Sequence, residues 1–302
     1  MKITVAWWNT SLSPPKAKPG RITKEDKEIF VDLLLQMIEI KKIEIIGFCE
    51  LSKADSVWLE GLSAPFGYKM ISGIIAAGRS NFDTCIIYRS DVLEFKDQLQ
   101  HIQMELKRTT KIALQYSFSI VGEKIPLHLF TSHWPSRLFL DEWNPKRLNL
   151  GRALRMPIQE ILDQSEKINE NALIVVMGDF NDEPFDMPIT EGLFATRDRA
   201  LIAKNPHLLY NPFWRRLGGR DGYSHATADN NYSGTYYFTG SPTDRWRTFD
   251  QIIVSSAFVG KSHWHLVESE TEVIDFAPYT KRVLDAKSKF DHLPIKISIE
   301  RV

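Results

Sequence analysis

Residues 172–184 read ALIVVMGDFNDEP, and the character of this stretch changes at Gly178. Its first half, 172–177, is an apolar run whose length and Val and Ile content favour a buried strand. Its second half contains Asp, Asn, Asp and Glu and ends at Pro184. A turn would explain this composition, because Asp and Asn favour turns and Pro ends a strand. Alternatively, the strand carries a carboxylate to a reaction centre, and the rest of the chain has to separate these interpretations.

Apolar runs of similar length and composition recur along the chain and predict further strands. Two of them, at 92–103 and 111–120, follow each other closely enough to predict an antiparallel meander. The others lie at 3–8, 43–48, 84–88, 125–131, 248–254 and 293–299.

Two stretches between these runs show the apolar spacing of helices. In the first, Thr23 can cap a helix and Asp26 stands at the third position after it. The second covers 145–167, with Pro157 inside it as a kink or a break. Strands that alternate with helices predict an α/β layered fold, with one mixed sheet or two sheets packed face to face. The sequence contains no convincing linker, so we expect one domain over 1–302.

The composition is that of an ordinary globular protein, with 43% hydrophobic and 25% charged residues. The 38 Lys and Arg residues balance 38 Asp and Glu residues, so the chain lacks the excess positive charge of a protein that coats nucleic acid nonspecifically. A site that holds cations brings its own positive charge, so neutrality does not exclude a nuclease.

The sequence also bears on location. No apolar run is long enough to span a bilayer, and the stretch MKITVAWWNT at the beginning lacks the apolar region of a signal peptide. Cys49 and Cys85 lie in strand-like runs and are predicted to be buried free thiols. We therefore expect a cytoplasmic protein that makes no membrane contact.

Polar side chains stand at the ends of the predicted strands. Each one alone has an ordinary explanation as a turn residue or as a cap. Strand ends on one rim of a sheet converge in space, so together these residues predict a shared site. The set comprises Asn9, Glu50, His133, Asp179, Asn181, Asp250, Asp291 and His292.

This set consists of hard oxygen ligands and two imidazoles, which indicates one kind of chemistry. Carboxylate and amide oxygens suit Mg²⁺ or Mn²⁺ better than Zn²⁺. The sequence has no HExxH motif, no GxSxG nucleophile elbow and no P-loop. A divalent metal with neighbouring His and Asn donors fits hydrolysis of a phosphate ester, because it neutralises the phosphoryl oxygens while a carboxylate activates water.

The motifs that carry these residues resemble those of the endonuclease/exonuclease/phosphatase superfamily, which includes apurinic-site endonucleases, deoxyribonucleases, sphingomyelinases and inositol-polyphosphate phosphatases. They occur in the family's order and cover the chain nearly end to end. The resemblance implies a four-layer α/β sandwich of two mixed β-sheets flanked by helices. The motifs are WWN at 7–9, GFCE at 47–50, TSHWPSR at 131–137, GDFN at 178–181, RTFDQIIVS at 247–255 and FDHLPI at 290–295.

The resemblance implies roles for the residues at the strand ends. Glu50 and Asp291 would hold the catalytic Mg²⁺ or Mn²⁺, with Asn9 nearby as a ligand or a phosphate contact. Asp179 would orient or deprotonate the attacking water, and Asn181 would contact the scissile phosphate.

The two histidines are expected beside the phosphate. Asp250 would pair with His292, fixing its tautomer and keeping it charged. His133 would be a second phosphate-side donor or the acid that protonates the leaving group. In deoxyribonuclease-type members, a carboxylate upstream of a strand that ends in Tyr-Arg supports the first histidine. Asp83 stands near the corresponding place, upstream of Tyr88 and Arg89, but the sequence does not determine the register.

Two segments are candidates for substrate binding because they mix Arg with aromatic residues, which suits phosphate pairing and base stacking. Arg137 follows His133 by one short turn and could reach the same phosphate. Trp246 and Arg247 end the second segment, 190–247, and an Arg-rich surface over buried aromatics is the alternative there. Other members of the two segments are Trp143, Lys146, Arg147, Arg152, Trp214, Arg215, Arg216, Arg220, Tyr236, Tyr237 and Arg245.

Three functions are compatible with these features. The first is a metal-dependent nuclease that cleaves phosphodiester bonds in nucleic acid. The second is a phosphatase or phosphodiesterase that acts on a small phosphate ester or a lipid head group. The third is a binding module without activity, which the presence of the complete polar set argues against.

Overall fold

The computed structural model describes residues 1–14, 22–78, 80–106, 108–218, 225, 232–260 and 262–302. The predicted apolar runs form strands of two large sheets, with bounds that differ from the predicted ones by a few residues. In chain order the strands are β1 (Lys2–Asn9), β2 (Ile45–Cys49), β3 (Tyr68–Ser72), β4 (Ala76–Ala77), β5 (Ser80–Asn81), β6 (Cys85–Arg89), β7 (Leu93–Glu105), β8 (Arg108–Ile120), β9 (Pro126–His133), β10 (Leu173–Asp179), β11 (Ala195–Thr196), β12 (Leu209–Tyr210), β13 (Tyr236–Tyr237), β14 (Trp246–Arg247), β15 (Asp250–Ser255), β16 (Trp264–Leu266), β17 (Glu272–Val273) and β18 (Ile295–Arg301).

The first sheet has the strand order β16–β18–β1–β2–β6–β3, with β17 beside β18. β1 and β2 are parallel and pair Asn9 with Cys49, so both strands end at the same edge. β6 is antiparallel to β2 and begins at this edge, shortly after Asp83. β18 is antiparallel to β1 and also begins there, shortly after Asp291 and His292. The topology therefore gathers polar residues from four chain segments at one edge.

The second sheet has the order β11–β12–β15–β10–β9–β8–β7. β9 and β10 are parallel and pair His133 with Asp179 at their carboxyl ends. β15 is antiparallel to β10 and begins with Asp250 opposite Asp179. β7 and β8 form the predicted antiparallel meander as a long hairpin.

The helices begin at the residues that cap them. α1 (Lys24–Leu35) has the predicted capping box, in which Thr23 and Asp26 bond each other's backbone N–H groups. α2 (Lys53–Ser63) begins with a second capping box, from Ser52. α3 (Pro145–Lys167) matches the predicted bounds and continues through Pro157, so of the two alternatives at this residue the split does not occur. The remaining helices are α4 (Arg199–Lys204) and α5 (Ala277–Leu284).

Alternation along the strands sorts side chains between the layers. Trp7 lies between the sheets, where its indole N–H reaches the second sheet, whereas Trp8 stacks on Phe30 of α1 at a centroid distance of 4.3 Å. In β10, Val175 packs between the sheets and Val176 packs under α3. Both faces of the strand are covered, which explains its unbroken apolar run. The expected four-layer sandwich of two mixed sheets flanked by helices is thus confirmed.

Two smaller expectations concern the thiols and the membrane. Cys49 and Cys85 are buried free thiols, as predicted. Among the helices that the structure describes, none is both long and apolar enough to cross a bilayer.

Candidate active site

Asp179, the last residue of β10, is the centre of the polar edge. Its Oδ2 accepts a hydrogen bond from Asn9 Nδ2 at 3.0 Å, and its Oδ1 accepts one from the backbone N–H of Asn181 at 3.0 Å. Nε2 of His133 lies 3.9 Å from Asp179 Oδ2, and Nε2 of His292 lies 3.8 Å from the same oxygen. The carboxylate is buried, so its neighbours fix its orientation.

His292 is held by Asp250. Its Nδ1 lies 2.7 Å from Asp250 Oδ2, and the other carboxylate oxygen accepts the indole N–H of Trp7 at 3.0 Å. Burial acts to lower the pKa of His292, but Asp250 and Asp179 outweigh it and raise this pKa to about 10. The predicted pair therefore forms, with Nδ1 bonded to the carboxylate and Nε2 directed to Asp179.

His133 is held in the same way by Asp83. Its Nδ1 lies 2.8 Å from Asp83 Oδ2, and Lys111 Nζ donates to the other oxygen at 3.3 Å. Burial acts to raise the pKa of Asp83, but His133 and Lys111 outweigh it and hold this pKa well below its usual range. Burial likewise acts to lower the pKa of His133, and Asp83 raises it to about 9. The structure thus settles the open register of Asp83 by placing it on His133.

Glu50 and Asp291 offer the oxygens that a divalent cation would need. Burial raises the pKa of Glu50 to about 7, although His133 lowers it and Asp291 raises it further. Within the described residues, no side-chain hydrogen bond or ion pair reaches the Glu50 carboxylate. Among the residues that the structure describes, the one side-chain donor to the Asp291 carboxylate is the hydroxyl of Ser11, which lies 2.7 Å from Oδ1. Two neighbouring acidic groups with so little protein compensation fit a divalent cation.

A second group of possible metal ligands consists of Asp179, Asp250 and His292, whose ligand atoms lie within 4.8 Å of one another. These atoms already serve each other and other protein donors: His292 Nδ1 is bonded to Asp250, and Trp7 occupies the other Asp250 oxygen. A cation here would have to displace these hydrogen bonds. These three residues are therefore better suited to binding water and phosphate than to coordinating a metal ion.

Three residues at the site adopt left-handed backbone conformations, namely Ser11, Glu50 and Asn181, with φ of 50°, 59° and 52°. Asn visits this region readily, whereas Ser and Glu do so at an energetic cost. Such conformations persist only where the surrounding structure stabilises them. At Ser11 that structure is visible, because its N–H donates to Asn9 Oδ1 while its hydroxyl donates to Asp291. Ser11 was missed by sequence reasoning, since no pattern of spacing announces it.

Gly178 permits the close approach of β9 and β10 beside the site. A Cβ atom added to it would lie 2.3 Å from the carbonyl oxygen of Ser132, which real Cβ atoms essentially never do. The change in character at Gly178 thus marks a place where only glycine fits, directly before Asp179.

Tyr236, a member of the second candidate substrate-binding segment, lies at the site itself. It forms a backbone bridge with His292 and lies against that imidazole, at a centroid distance of 4.7 Å. On its other side it stacks on Phe249 at 5.3 Å. The mixture of Arg and aromatic residues in that segment indicated a role in substrate binding, but not the contact with His292.

The predicted substrate-binding residues lie in different surroundings. Arg137 Nε donates to the carbonyl oxygen of Asn181 at 3.0 Å, and its two Nη atoms pair with Asp186 and Glu142. The guanidinium also lies 4.8 Å from the ring of Phe249. These partners place Arg137 beside the site, and contact with phosphate stays a prediction.

Trp246 and Arg247 form the short strand β14, which pairs with β13 and so lies close to Tyr236. Arg247 Nη1 pairs with Asp244 at 2.5 Å, and Trp246 packs on Tyr237 at a centroid distance of 4.9 Å. Contact with substrate stays a prediction for both residues. Arg220, from the same segment, lies outside the described residues.

Asp182 and Glu183, whose presence a turn would explain, are buried. Nε of Arg147 donates to both oxygens of Asp182, at 2.8 and 3.0 Å, and Glu183 accepts the backbone N–H of Thr248 at 3.0 Å. Arg147, a candidate for substrate contact, is buried and uses its guanidinium group for this internal pair instead. The acidic cluster therefore also anchors the loop that carries Asn181, a use that composition alone does not reveal.

The fold is that of a superfamily whose members hydrolyse phosphate esters. The chain belongs to the endonuclease/exonuclease/phosphatase family, because the sequence model of that family matches residues 24–297. A search of curated protein sequences finds no significant match to this chain.

Solved structures share the fold over nearly the whole chain. The human Nocturnin catalytic domain is 14% identical with a TM-score of 0.60, covering 100% of this chain and 95% of that one. A mannosyl-6-phosphatase of Bacteroides thetaiotaomicron is 16% identical with a TM-score of 0.56, covering 99% of both chains. TDP2 of D. rerio, complexed with a single-strand DNA product, is 17% identical with a TM-score of 0.54, also covering 99% of both. At these identities the likeness shows the fold alone.

Proposed function

We propose that the protein is a divalent-metal-dependent nuclease, which hydrolyses phosphodiester bonds in nucleic acid by attack of water. The observation that carries this proposal is the position of Asp179, whose carboxylate is fixed by two N–H donors between two imidazoles. A carboxylate held in this way is suited to accept a proton from water, and the imidazoles are suited to face an anionic phosphate.

The residues divide the work of hydrolysis. Asp179 Oδ2 accepts a proton from the water molecule while the water oxygen forms its bond to phosphorus. The imidazolium of His292 donates its Nε2–H to a non-bridging phosphoryl oxygen, where negative charge grows. As the P–O bond to the leaving group breaks, His133 Nε2 gives its proton to the departing oxygen, so that the alcohol leaves neutral.

Two further groups hold the phosphate and the metal. Asn181 would bind the phosphate. Its fixed position supports this role, because its backbone N–H donates to Asp179 and its Nδ2 donates to the carbonyl oxygen of Trp134 at 3.1 Å. Glu50 and Asp291, with Asn9, would hold Mg²⁺ or Mn²⁺. When bound, the cation would neutralise charge on the phosphoryl oxygens.

Nucleic acid is favoured over a small ester by the Arg and aromatic residues around the site. Arg137 beside Asn181 and the strand of Trp246 and Arg247 offer cations and flat rings, which suit phosphate contact and stacking. The relatives include both substrate classes, since one was crystallised with single-strand DNA and another is a sugar-phosphate phosphatase. A phosphatase or phosphodiesterase for a small ester is therefore the second candidate.

A substrate panel with Mg²⁺ or Mn²⁺ separates these candidates. It comprises plasmid DNA, single-stranded DNA, RNA and phosphorylated small molecules, with Asp179→Ala and His292→Ala as controls. Cleavage of a polynucleotide by the wild type and its loss in both variants supports the nuclease. Turnover of small esters alone contradicts the nuclease, and identical behaviour of all three proteins on every substrate contradicts the hydrolase.

Two expectations remain proposals that accompany this function. One is that residues 1–302 act as a single catalytic unit. The other is a cytoplasmic location, which rests on the sequence features described above.

A further inference from the structure

A groove runs along the outer side of the second sheet, between the β7–β8 hairpin and the beginning of α3. The volume of its inner half is about 560 Å³, and that of its outer half is about 570 Å³. Both halves are lined by Gln103, Met104 and Asn149, so the two cavities adjoin at these residues. Cavities of this size are typical of ligand sites.

The inner half of the groove begins beside the catalytic residues. Pro135, in its wall, stands two residues after His133. Thr110, in the opposite wall, directly precedes Lys111, whose ammonium group donates to Asp83. A polymer whose scissile phosphate lies at His133 can therefore continue into this groove.

The lining of the inner half is cationic and polar. It contains Arg108 and Lys146, and none of the described residues that line it is acidic. Farther out, Arg152 adds a third cation and Glu160 a carboxylate. The net charge of the whole chain is zero, so this concentration of positive charge is local. A local patch of this kind is complementary to a polyanion.

The loop between β9 and α3 carries two exposed rings, one in the wall of the groove and one that stands three residues before Lys146 of that wall. Phe139, which lines the inner half, is 67% exposed, and Trp143 in the same loop is 85% exposed. Large apolar side chains grouped on a surface usually mark a binding site. Flat rings beside cations are the arrangement on which unpaired bases stack while their phosphates meet Lys and Arg.

We propose that this groove binds a single-stranded segment of nucleic acid that extends outward from the scissile phosphate. The proposal rests on the nuclease function proposed above, and it names the form of the substrate. Bases in a duplex hide their faces against each other, so Trp143 can stack only on an unpaired base. The amide side chains of Gln103 and Asn149 are available to base edges.

Fluorescence anisotropy with a labelled single strand of about ten nucleotides tests the groove directly, since such sites hold roughly 4–16 nucleotides. EDTA prevents cleavage, and a gel confirms that the strand stays intact. Trp143→Ala is expected to weaken binding roughly tenfold through lost stacking. Lys146→Ala is expected to weaken it as well and to reduce the slope of log Kd against log salt by about 0.7. Trp143→Ala should leave that slope unchanged.

Two control variants lie away from the groove. Lys24→Ala removes a cation on α1 whose side chain is 93% exposed, and Ile40→Ala removes an exposed apolar side chain. Both should bind the strand as the wild type does. Equal losses in the control and groove variants contradict the proposal, as does tighter binding of a duplex than of the single strand. Binding of anionic phospholipid vesicles through Trp143, without binding of the strand, overturns it in favour of a lipid surface.

Hydrolysis separates this proposal from the nuclease function. The ratio of kcat/KM for the same strand to kcat/KM for a dinucleotide should fall roughly tenfold in Trp143→Ala. If the wild type cleaves both substrates equally well, the groove proposal fails and the nuclease stands. If it cleaves neither and still binds the strand through the groove, the nuclease fails and the groove stands.

Discussion

The two His–Asp pairs approach Asp179 in similar ways but are supported differently. Each pair joins the two sheets: His133 ends β9 of the second sheet and meets Asp83 beside the first, whereas His292 precedes β18 of the first sheet and meets Asp250 of the second. Both Nε2 atoms lie within 4 Å of Asp179. The site therefore exists only when the sheets dock.

The support of the two carboxylates differs in charge and in exposure. Asp250 is fully buried and receives a neutral indole N–H from Trp7. Asp83 receives the ammonium group of Lys111, which is partly exposed. A neutral donor leaves the negative charge of Asp250 to His292, whereas Lys111 shares that of Asp83 with His133. The two His–Asp pairs have the same arrangement of donor and acceptor atoms. Because their carboxylates are supported differently, we expect them to hold the two imidazoles with unequal strength.

Removal of each histidine should reveal this inequality most clearly. His292→Ala is expected to lower kcat roughly 10⁴-fold and His133→Ala roughly 10²-fold, at the two ends of the range for positioned acids and bases. The reason is that, in the proposed mechanism, His292 faces the charge that grows on the phosphate, whereas water can partly replace His133 as the acid at the leaving oxygen. Steady-state kinetics on one diester substrate measures both losses of kcat. Equal losses would contradict the expected inequality between the two histidines.

Neutralising Asp83 should shift the pH dependence. The protonated imidazole is the form that pairs with Asp83, so the pair raises the pKa of His133 to about 9, and activity that needs this proton falls as the pH rises through that value. In Asp83→Asn, the alkaline limb of kcat/KM should move down by at least about one pH unit. A pH profile that keeps the wild-type limb would show that another group carries the proton.

The same pair affects stability in a defined pH window. His133 has a raised pKa when folded, so its contribution is complete below about pH 6.5 and is lost as the pH rises through about 9. Asp83 has a lowered pKa, so its contribution is lost as the pH falls below about 4. The free energies of urea unfolding of the wild type and of Asp83→Asn should therefore differ most between about pH 4 and about pH 6.5, where both contributions are complete. A difference that stays constant with pH would contradict this account.

Removal of the outer donors should affect stability in a smaller and unequal way. Trp7→Phe leaves a buried oxygen of Asp250 without its donor and is expected to lower the free energy of unfolding by about 1–3 kcal/mol. Lys111→Met removes a partly exposed ion pair and should cost less than about 1 kcal/mol. Denaturant unfolding measures both values. A larger loss in Lys111→Met than in Trp7→Phe would show that the charge of the donor, rather than its burial, determines how much it stabilises the carboxylate.

Among the variants expected to change activity, those of Tyr236 should show the smallest effect, and they concern the His292–Asp250 pair only. Tyr236→Leu removes the ring that lies against His292 and is expected to cost about 0.5–1.5 kcal/mol in kcat/KM. Tyr236→Phe keeps the ring and serves as the matched variant, which should retain nearly full activity. An equal loss in both variants would assign the effect to the hydroxyl group.

Much of this architecture could be predicted from the sequence. The helix α3 and the strands β1, β2, β6–β10, β15 and β18 follow from apolar runs and spacing, which depend on local residues only. The sequence did not predict the remaining strands, most of which have only two or three residues. Asp179 and Asp250 stand at strand ends, where topology alone brings them together. The pairing of Asp83 with His133 was left open because it depends on the register of β6 beside β2.

Other features depend on contacts that the order of residues does not reveal. Ser11 reaches Asp291 only through its left-handed backbone, and Tyr236 reaches His292 through an isolated bridge between distant segments. The burial of Asp182 requires Arg147 of α3, which comes from 35 residues away along the chain. Partners of this kind become visible only when the layers are assembled.

The central claim is that water, activated at Asp179, attacks phosphorus. Hydrolysis of a diester in water enriched in heavy oxygen, with Mg²⁺ or Mn²⁺ present, tests this most directly by mass spectrometry of the products. We expect the heavy oxygen in the phosphate product of the wild type, with the product lost in Asp179→Asn. Heavy oxygen in the alcohol product, or the same yield from Asp179→Asn, would contradict the account.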